Sequence, residues 1–287
     1  MSSPQALFVA LRPRQWTKNL LLFAGIIFAA KLGDSTRVAQ AIAGFVVYCA
    51  ASSAAYLLND LRDVDTDRAH PLKRRRPIAS GQVSRGAAVA VAAGLAVLAM
   101  CLAAILGPAS LAFLVGFAAI QVAYTLALKH VVLIDVCAIA ALFVIRAAAG
   151  AVAVDVRISP WLLVCTALLS LFLALGKRRG ELVLVAATST PGRRVLDGYS
   201  LFVVDRLLAA VAGGTIVAYA LYTFTARSSH TLTVTIPFVV FGVVRYVLLL
   251  HRRGLGEEPE NVLVRDVPIL VTVALWTLTC AVVLARG

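Results

Sequence analysis

The sequence predicts an all-α integral membrane protein with nine transmembrane helices, and three observations lead there. Apolar residues make up 61% of the 287 and charged residues only 14%, whereas soluble domains run near half apolar and a quarter charged. Mean hydropathy is +0.92. A disordered chain, a soluble Rossmann enzyme and a small secreted scaffold are poor fits to that balance. Second, the apolar residues gather into runs of about 20, the length a helix needs to cross the hydrocarbon. Third, the excess of 27 Lys+Arg over 14 Asp+Glu sorts onto alternate connections between those runs.

The runs fall near 19–32, 37–58, 86–106, 108–128, 131–151, 159–176, 203–226, 232–250 and 267–285. The first is the shortest. Gly107-Pro108 and Lys129-His130 make tight junctions, so the spans they join are antiparallel neighbours. With the N-terminus in the cytoplasm, that side receives 19 Lys+Arg and the other side five. The asymmetry sets the orientation in the plasma membrane by the positive-inside rule. It also accounts for most of the positive charge without nucleic acid as a partner. The chain reads as one polytopic membrane domain over 1–287, with cytoplasmic loops at about 59–85, 177–202 and 251–266. Arg12, Arg14 and Lys18 precede the first run, but no small-residue cleavage site marks a signal peptide. Cys49, Cys101, Cys137, Cys165 and Cys280 all sit inside apolar runs and read as small hydrophobes rather than ligands.

Eleven of the 14 acids lie in or beside the three long cytoplasmic loops. A channel or pump more often places its ionisable groups at mid-membrane depth, so this gathering favours chemistry at the membrane surface. The densest stretch runs from Asn59 to Pro71 and continues the second span. At about 100° per residue, Asp60, Asp63 and Asp67 fall near 0°, 300° and 340°, on one face with Asn59 and Tyr56, while Asp65 points away. Three carboxylates so placed repel unless a cation joins them, and carboxylates at a helix C-terminus oppose its dipole. Hard oxygen ligands at this spacing suit Mg²⁺, which bridges to substrate phosphates. The plainer reading is a solvated helix end paired to Arg62 and Arg68.

Basic groups surround this stretch. Lys73 to Arg76 follow it; part of that run sets topology, while Lys73 and Arg76 are the best placed to grip a diphosphate. A second polar loop, Gly176 to Leu182, has its first charge, Lys177, 118 residues after Asn59 and carries Arg178, Arg179 and Glu181 as well. One loop is acidic and the other basic, suggesting one pole for a metal-bound diphosphate and another for a bare anion. Lys18 and Asn19 open the first span and either anchor it at the headgroups beside Trp16 or face a cavity. Asp135 and Arg146 lie in the fifth span, on one face, about 16 Å apart along the helix. Intramembrane charges point to function by default. Asp135, near Lys129 and Tyr124, belongs to the cytoplasmic mouth, and Arg146 either binds helix carbonyls near Gly150 or touches substrate.

Asn59-Asp60-x-x-Asp63-x-x-x-Asp67, with nine spans and cytoplasmic polar loops, resembles the UbiA superfamily of intramembrane prenyltransferases. The resemblance narrows through Arg12-Pro13-x-Gln15-Trp16-x-Lys18-Asn19, Asn59 through Gly81, and Tyr124-x-x-x-Leu128-Lys129-His130 with Asp135. Phe143-x-Ile145-Arg146-Ala147, Gly176-Lys177-Arg178-x-x-Glu181-Leu182 and Gly256-Glu257-x-Pro259-Glu260 extend it from about Leu11 to Asp266. These stretches resemble the decaprenyl-phosphate phosphoribosyltransferase branch.

The resemblance implies a UbiA-type bundle, Mg²⁺ on Asp60, Asp63 and Asp67, and transfer of 5-phosphoribose from phosphoribosyl diphosphate (PRPP) to polyprenyl phosphate. In actinobacteria that step leads to decaprenyl-phosphoryl-arabinose and cell-wall arabinan. Ordinary UbiA prenyltransferases carry a second Asp-rich motif after span six; here that place holds the single acid Glu181. Lys177 and Arg178 would dock either the lipid phosphate or the ribose 5-phosphate, with Lys18, Lys73, Arg76 and Lys129 as further phosphate ligands. The competing readings are an aromatic-acceptor prenyltransferase, which would need the second motif, and a non-enzymatic lipid transporter. The sequence is compatible with a homo-oligomer.

Overall fold

A computed structural model of the chain describes residues 3–69, 73–188, 194–225, 230–253 and 266–286. Among the described residues the protein is mostly helical, without strands. Its α-helices are α1 (Pro4–Ala10), α2 (Ala24–Phe28), α3 (Ser35–Arg62), α4 (Val64–Ala69), α5 (Arg85–Leu106), α6 (Pro108–Leu126), α7 (Ile134–Ala153), α8 (Pro160–Thr188), α9 (Leu201–Thr225), α10 (Ile236–Arg253) and α11 (Val267–Arg286). Eight of the described helical segments are long and apolar enough to cross a membrane. The protein is therefore a multi-pass membrane protein.

The expected first span is the exception. It is a 3₁₀ ribbon, Pro13–Phe23, running into the five-residue α2. At about 2.0 Å per 3₁₀ residue and 1.5 Å per α residue, ribbon and α2 together still reach about 30 Å, close to the hydrocarbon thickness. The stretched form lets backbone meet backbone. A Cβ added at Gly150 would fall 2.1 Å from the Leu22 carbonyl oxygen, and one at Gly25 would fall 2.7 Å from the Ala151 Cα. Glycine at both positions is what permits the approach. Hydrophobicity of the segment alone does not encode such a contact, so the sequence pattern reads as an ordinary span.

Two compact units emerge: Met1–Ile26 with Leu32–Thr125 and Ala148–Arg157, and Ile27–Lys31 with Leu126–Ala147 and Ile158–Gly287. In the first, α3 packs most extensively on α5. The buried residues of α5 are Ala88, Ala92, Ala99 and Ala103. Small side chains on one stripe let helix backbones approach where lipid supplies no hydrophobic drive. Asp34 caps α3 by accepting from the Thr36 and Arg37 amides, and Ser84 caps α5 through Ala87. Gly107, at φ 122°, ends α5 immediately before Pro108 opens α6, as the junction predicts.

In the second unit α8 and α9 pack most closely. Phe172, Leu175, Leu208, Val243, Tyr246 and Ile269 form its main core, with Phe172 and Tyr246 edge-to-face at 5.2 Å. Tyr219 sits in a smaller buried knot. Its hydroxyl receives the Trp276 indole N–H at 2.8 Å and lies 2.7 Å from the Thr235 hydroxyl, satisfying polar atoms that lipid would leave bare.

Two further expectations change. The second polar loop is not a loop where its charges stand: α8 continues through Lys177 to Glu181 and ends at Thr188. Lys, Arg and Glu are good helix formers, and Arg178 pairs with Glu181 one turn on. The acidic stretch, expected as one helix to Pro71, instead breaks at Asp63, whose φ of −91° and ψ of 8° end α3 before α4 resumes. Pro71, Gly256 to Glu260 and most of the third expected loop lie outside the described residues.

Candidate active site

The acidic pole lies in the first unit, at the end of α3. Asp60 and Asp67 are buried, Asp63 half-buried and Asp65 exposed, the sidedness the helix wheel predicts. Two cations converge on the buried pair. Arg76 Nη1 donates to Asp60 Oδ1 at 3.1 Å and to Asp67 Oδ2 at 2.7 Å. Arg12 Nη2 donates to the same Asp60 oxygen at 2.6 Å. Asp63 turns elsewhere and accepts from Asn59 Nδ2 at 3.2 Å. Asp65 faces Arg68 and Arg85 at 3.6 and 3.5 Å, an exposed arrangement of little energetic weight.

Local structure fixes Arg76. After α4 the chain makes a 3₁₀ turn at Lys73–Arg75. The Arg76 amide donates to the Lys73 carbonyl at 2.9 Å, and Arg68 Nε donates to the Ala79 carbonyl at 3.1 Å. Pro77, Ile78 and Ala79 are buried beneath. Arg74 and Arg75 stay exposed, consistent with topological charge. Lys73 is half-buried.

Sequence reasoning placed Arg12 only in an N-terminal motif and missed its place in this pole. Arg12 adopts φ 55° and ψ 59°, a left-handed conformation uncommon for any residue but glycine and further disfavoured before proline. Its guanidinium lies 4.9 Å from the centre of the Tyr56 ring, and the Tyr56 hydroxyl meets Gln15 Oε1 at 3.5 Å. Trp16 Nε1 donates to Ser53 Oγ at 3.0 Å, and Ser53 in turn donates to the Leu11 carbonyl at 2.9 Å. The Arg-Pro dipeptide opposite an acid-bearing helix end was the available signal. Lys18 is half-buried. Asn19 is fully buried and donates to Cys49 Sγ at 3.3 Å, so it packs the ribbon onto α3 rather than lining an open cavity.

A second constellation lies in the other unit. Asp135, at the start of α7, and Arg178, in α8, are both fully buried. Arg178 Nε donates to Asp135 Oδ2 at 2.6 Å and its Nη1 to Glu181. The Tyr199 hydroxyl donates to Asp135 Oδ1 at 2.6 Å and accepts the Leu133 amide at 2.8 Å. Burial, then the bond to Asp135, pushes the Tyr199 hydroxyl well above the ordinary tyrosine range, so it remains a donor. Tyr199 escaped the sequence reading because nothing near it in the chain is charged in a telling pattern.

Arg178 and Glu181, expected to meet substrate, are thus engaged with each other and with Asp135. Lys177 beside them is half-buried, as are Lys129 in the 3₁₀ turn Leu128–His130 and Tyr124 near the end of α6. Arg146 is buried, donates to the Leu142 carbonyl one turn back at 2.9 Å and lies over Phe143 at 5.4 Å. That matches the carbonyl-binding alternative, although at Leu142 rather than near Gly150.

The acids can be tested against a divalent cation. Asp60 and Asp67 both reach one guanidinium nitrogen within 3.1 Å, so Arg76 Nη1 stands where two carboxylates converge on positive charge. Among the described residues no three of His, Cys, Asp and Glu gather closely enough to hold a metal, and Asp63 does not join the pair. Mg²⁺ needs only one or two carboxylates when waters and substrate phosphates complete its shell. The two-carboxylate pair fits that requirement, once the guanidinium groups move.

A membrane-spanning helical bundle with an acid pair across the junction of α3 and α4 defines the class. Residues 20–178 match the UbiA prenyltransferase family, and the chain belongs to that family. It is 37% identical over 287 aligned residues to decaprenyl-phosphate phosphoribosyltransferase of Mycolicibacterium smegmatis, covering 94% of this chain and 89% of that protein. The enzyme of the same name from Mycobacterium tuberculosis is 35% identical, covering 97% and 94%. In fold, the chain resembles a UbiA homologue from Archaeoglobus fulgidus solved with GPP and Mg²⁺, at a TM-score of 0.75 and 17% identity, covering 98% of this chain and 100% of that one. A UbiA homologue from Aeropyrum pernix K1 superposes with a TM-score of 0.62 at 17% identity, covering 96% and 99%.

Proposed function

We propose that this protein transfers 5-phosphoribose from PRPP to a polyprenyl phosphate, releasing diphosphate, at the cytoplasmic face of the membrane. The observation that carries the reading is the acid pair Asp60 and Asp67, which converge on the Arg76 guanidinium while Arg12 holds Asp60 as well. The two relatives named decaprenyl-phosphate phosphoribosyltransferase support the choice of substrates.

In the reaction the bond from ribose C1 to the diphosphate oxygen breaks, and a bond from C1 to an oxygen of the lipid phosphate forms. When bound, Mg²⁺ would neutralise the leaving diphosphate. Asp60 and Asp67 would hold it, with Asn59 keeping Asp63 to one side. Arg76 and Arg12, displaced from the carboxylates, would pair with phosphate oxygens, for which the guanidinium fork is suited. Lys18 and Lys73 would add positive charge around the diphosphate, and Lys129 and Lys177 would serve the lipid phosphate or the ribose 5-phosphate. Cleavage at C1 builds oxocarbenium character, so preorganised charge does most of the work. The lipid phosphate is already an anion and needs no general base. Asp135, Arg178, Glu181 and Tyr199, committed to one another, would brace the start of α7 against α8 rather than act as ligands.

Glu181 also bears on the donor. It is the only acid in the stretch where a second Asp-rich motif would stand, and it is committed to Arg178. That favours a monophosphate lipid over a prenyl diphosphate. The product would feed decaprenyl-phosphoryl-arabinose and cell-wall arabinan synthesis. The test is to incubate membranes containing the protein with ribose-labelled PRPP, Mg²⁺ and polyprenyl phosphate. Label should enter the lipid phase, and Asp60→Ala or Asp67→Ala should abolish it. Transfer from a prenyl diphosphate to an aromatic acid, with none from PRPP, would replace this reading by the prenyltransferase one.

A further inference from the structure

We propose that Arg12 is a counter-ion that competes with the divalent cation for Asp60 and passes to the diphosphate when the cation binds. The inference rests on the reading of Asp60 and Asp67 as the cation ligands and goes beyond it. It makes cation and diphosphate binding interdependent through one N-terminal side chain.

Four observations carry it. Asp60 Oδ1 holds two guanidinium groups at once, Arg12 at 2.6 Å and Arg76 at 3.1 Å. A divalent cation on that oxygen would meet both at contact distance, and such repulsion is large where Asp60 is only 3% exposed. Arg76 keeps a second carboxylate, Asp67, at 2.7 Å; the Arg12 guanidinium has Asp60. The Arg12 side chain is 28% exposed and lies over the ring of Tyr56, so it has a path away from the acid toward solvent.

Its backbone, by contrast, is fastened. The Arg12 amide donates to the Val9 carbonyl at 3.1 Å, its carbonyl accepts from Gln15 at 2.8 Å, and Ser53 holds the Leu11 carbonyl. The left-handed φ of 55° before Pro13 is a conformation that persists only where surroundings impose it. A fixed, strained backbone bearing a half-buried arm over a buried acid describes a positioned group rather than a surface charge.

The consequence is a defined sign pattern. In wild type the cation must displace Arg12, so its affinity alone is weak, and diphosphate, by accepting the freed guanidinium, strengthens it. Removing Arg12 removes the competitor and the acceptor's partner together. Cation affinity should rise while diphosphate affinity falls. A residue that merely held the fold together would lower both.

The experiment uses full-length protein in detergent, with Mn²⁺ binding followed by electron paramagnetic resonance of the free ion, with and without inorganic diphosphate. Arg12→Met should bind Mn²⁺ alone about tenfold more tightly than wild type, and diphosphate should strengthen Mn²⁺ binding several-fold less than it does in wild type. Arg12→Lys, which keeps the charge, should stay within about threefold of wild type. It also serves as the test, against Arg12→Gln, should the methionine variant fail to fold. Unchanged or weaker Mn²⁺ binding in folded Arg12→Met, where wild type binds the ion, overturns the proposal. Tighter Mn²⁺ binding in Arg12→Met, in a protein that transfers nothing from PRPP, upholds the competition and removes the phosphoribosyl reading instead.

Discussion

The buried pair Asp135–Arg178 invites a quantitative test. Both side chains have no exposed surface. Asp135 accepts two charge-assisted bonds, from Arg178 Nε and the Tyr199 hydroxyl, each at 2.6 Å. Each is worth about 1.5–3 kcal/mol, and removing one partner of a buried ion pair strands the other, for a loss of about 3–5 kcal/mol. Asp135→Ala should therefore lower the unfolding temperature of detergent-solubilised protein by on the order of 10 °C. Arg178→Met should do about the same.

The double variant should lose markedly less than the sum, with a coupling of about 2 kcal/mol or more, because neither charge is then left alone. Tryptophan fluorescence on heating reads all three, and transfer activity measured well below the melting point gives a second axis. A brace predicts that the double variant keeps activity in proportion to its folded fraction. Strict additivity of the two losses would refute the pairing. A fully folded double variant without activity would show Arg178 to be a ligand after all.

Other expectations follow from separate parts of the molecule. Gly150→Ala would drive a methyl into the Leu22 carbonyl, 2.1 Å away; it should destabilise the ribbon and increase protease cleavage near residues 13–23, whereas Gly94→Ala, with open space around it, should be silent. Tyr199→Phe removes a donor to Asp135 and an acceptor from Leu133, a loss of about 1–3 kcal/mol read in the same thermal assay. Because the folded state raises the Tyr199 value, its contribution is fully present below the unfolded value of about 10 and is lost as pH rises through the folded one; wild type and Tyr199→Phe should therefore converge in stability only in strongly alkaline buffer. Asp67→Asn should reduce Mn²⁺ binding by at least tenfold, while Asp65→Asn, exposed and paired only at 3.5 Å or more, should leave it unchanged.

How much of this was legible in the sequence depends on the kind of interaction. The eight long spans follow from hydropathy because lipid imposes length and composition directly. The sidedness of Asp60, Asp67 and Asp65 follows from helical period. The break at Asp63 does not, since it turns on one residue's ψ. Lys177 to Glu181 read as a loop because charge suggests water, yet tertiary partners allow charged residues to remain in a helix and, for Arg178, to be fully buried. Arg12 and Tyr199 were harder to read for a related reason: their partners lie 48 and 64 residues away, and beyond the Arg-Pro dipeptide no local pattern anticipates them.

The contact between the ribbon and Gly150 also bears on the order in which the protein is assembled. Leu22 precedes Gly150 by 128 positions, which at about 5–20 residues per second separates their synthesis by on the order of 6–25 s. A 3₁₀ segment of 11 residues is far longer than such helices sustain alone, and the backbone it rests on is absent throughout that interval. The N-terminal ribbon is thus made first and seated late. The segments of α3 and α4 that carry Asp60 and Asp67 are therefore made while the ribbon before them still lacks the α7 backbone it rests on.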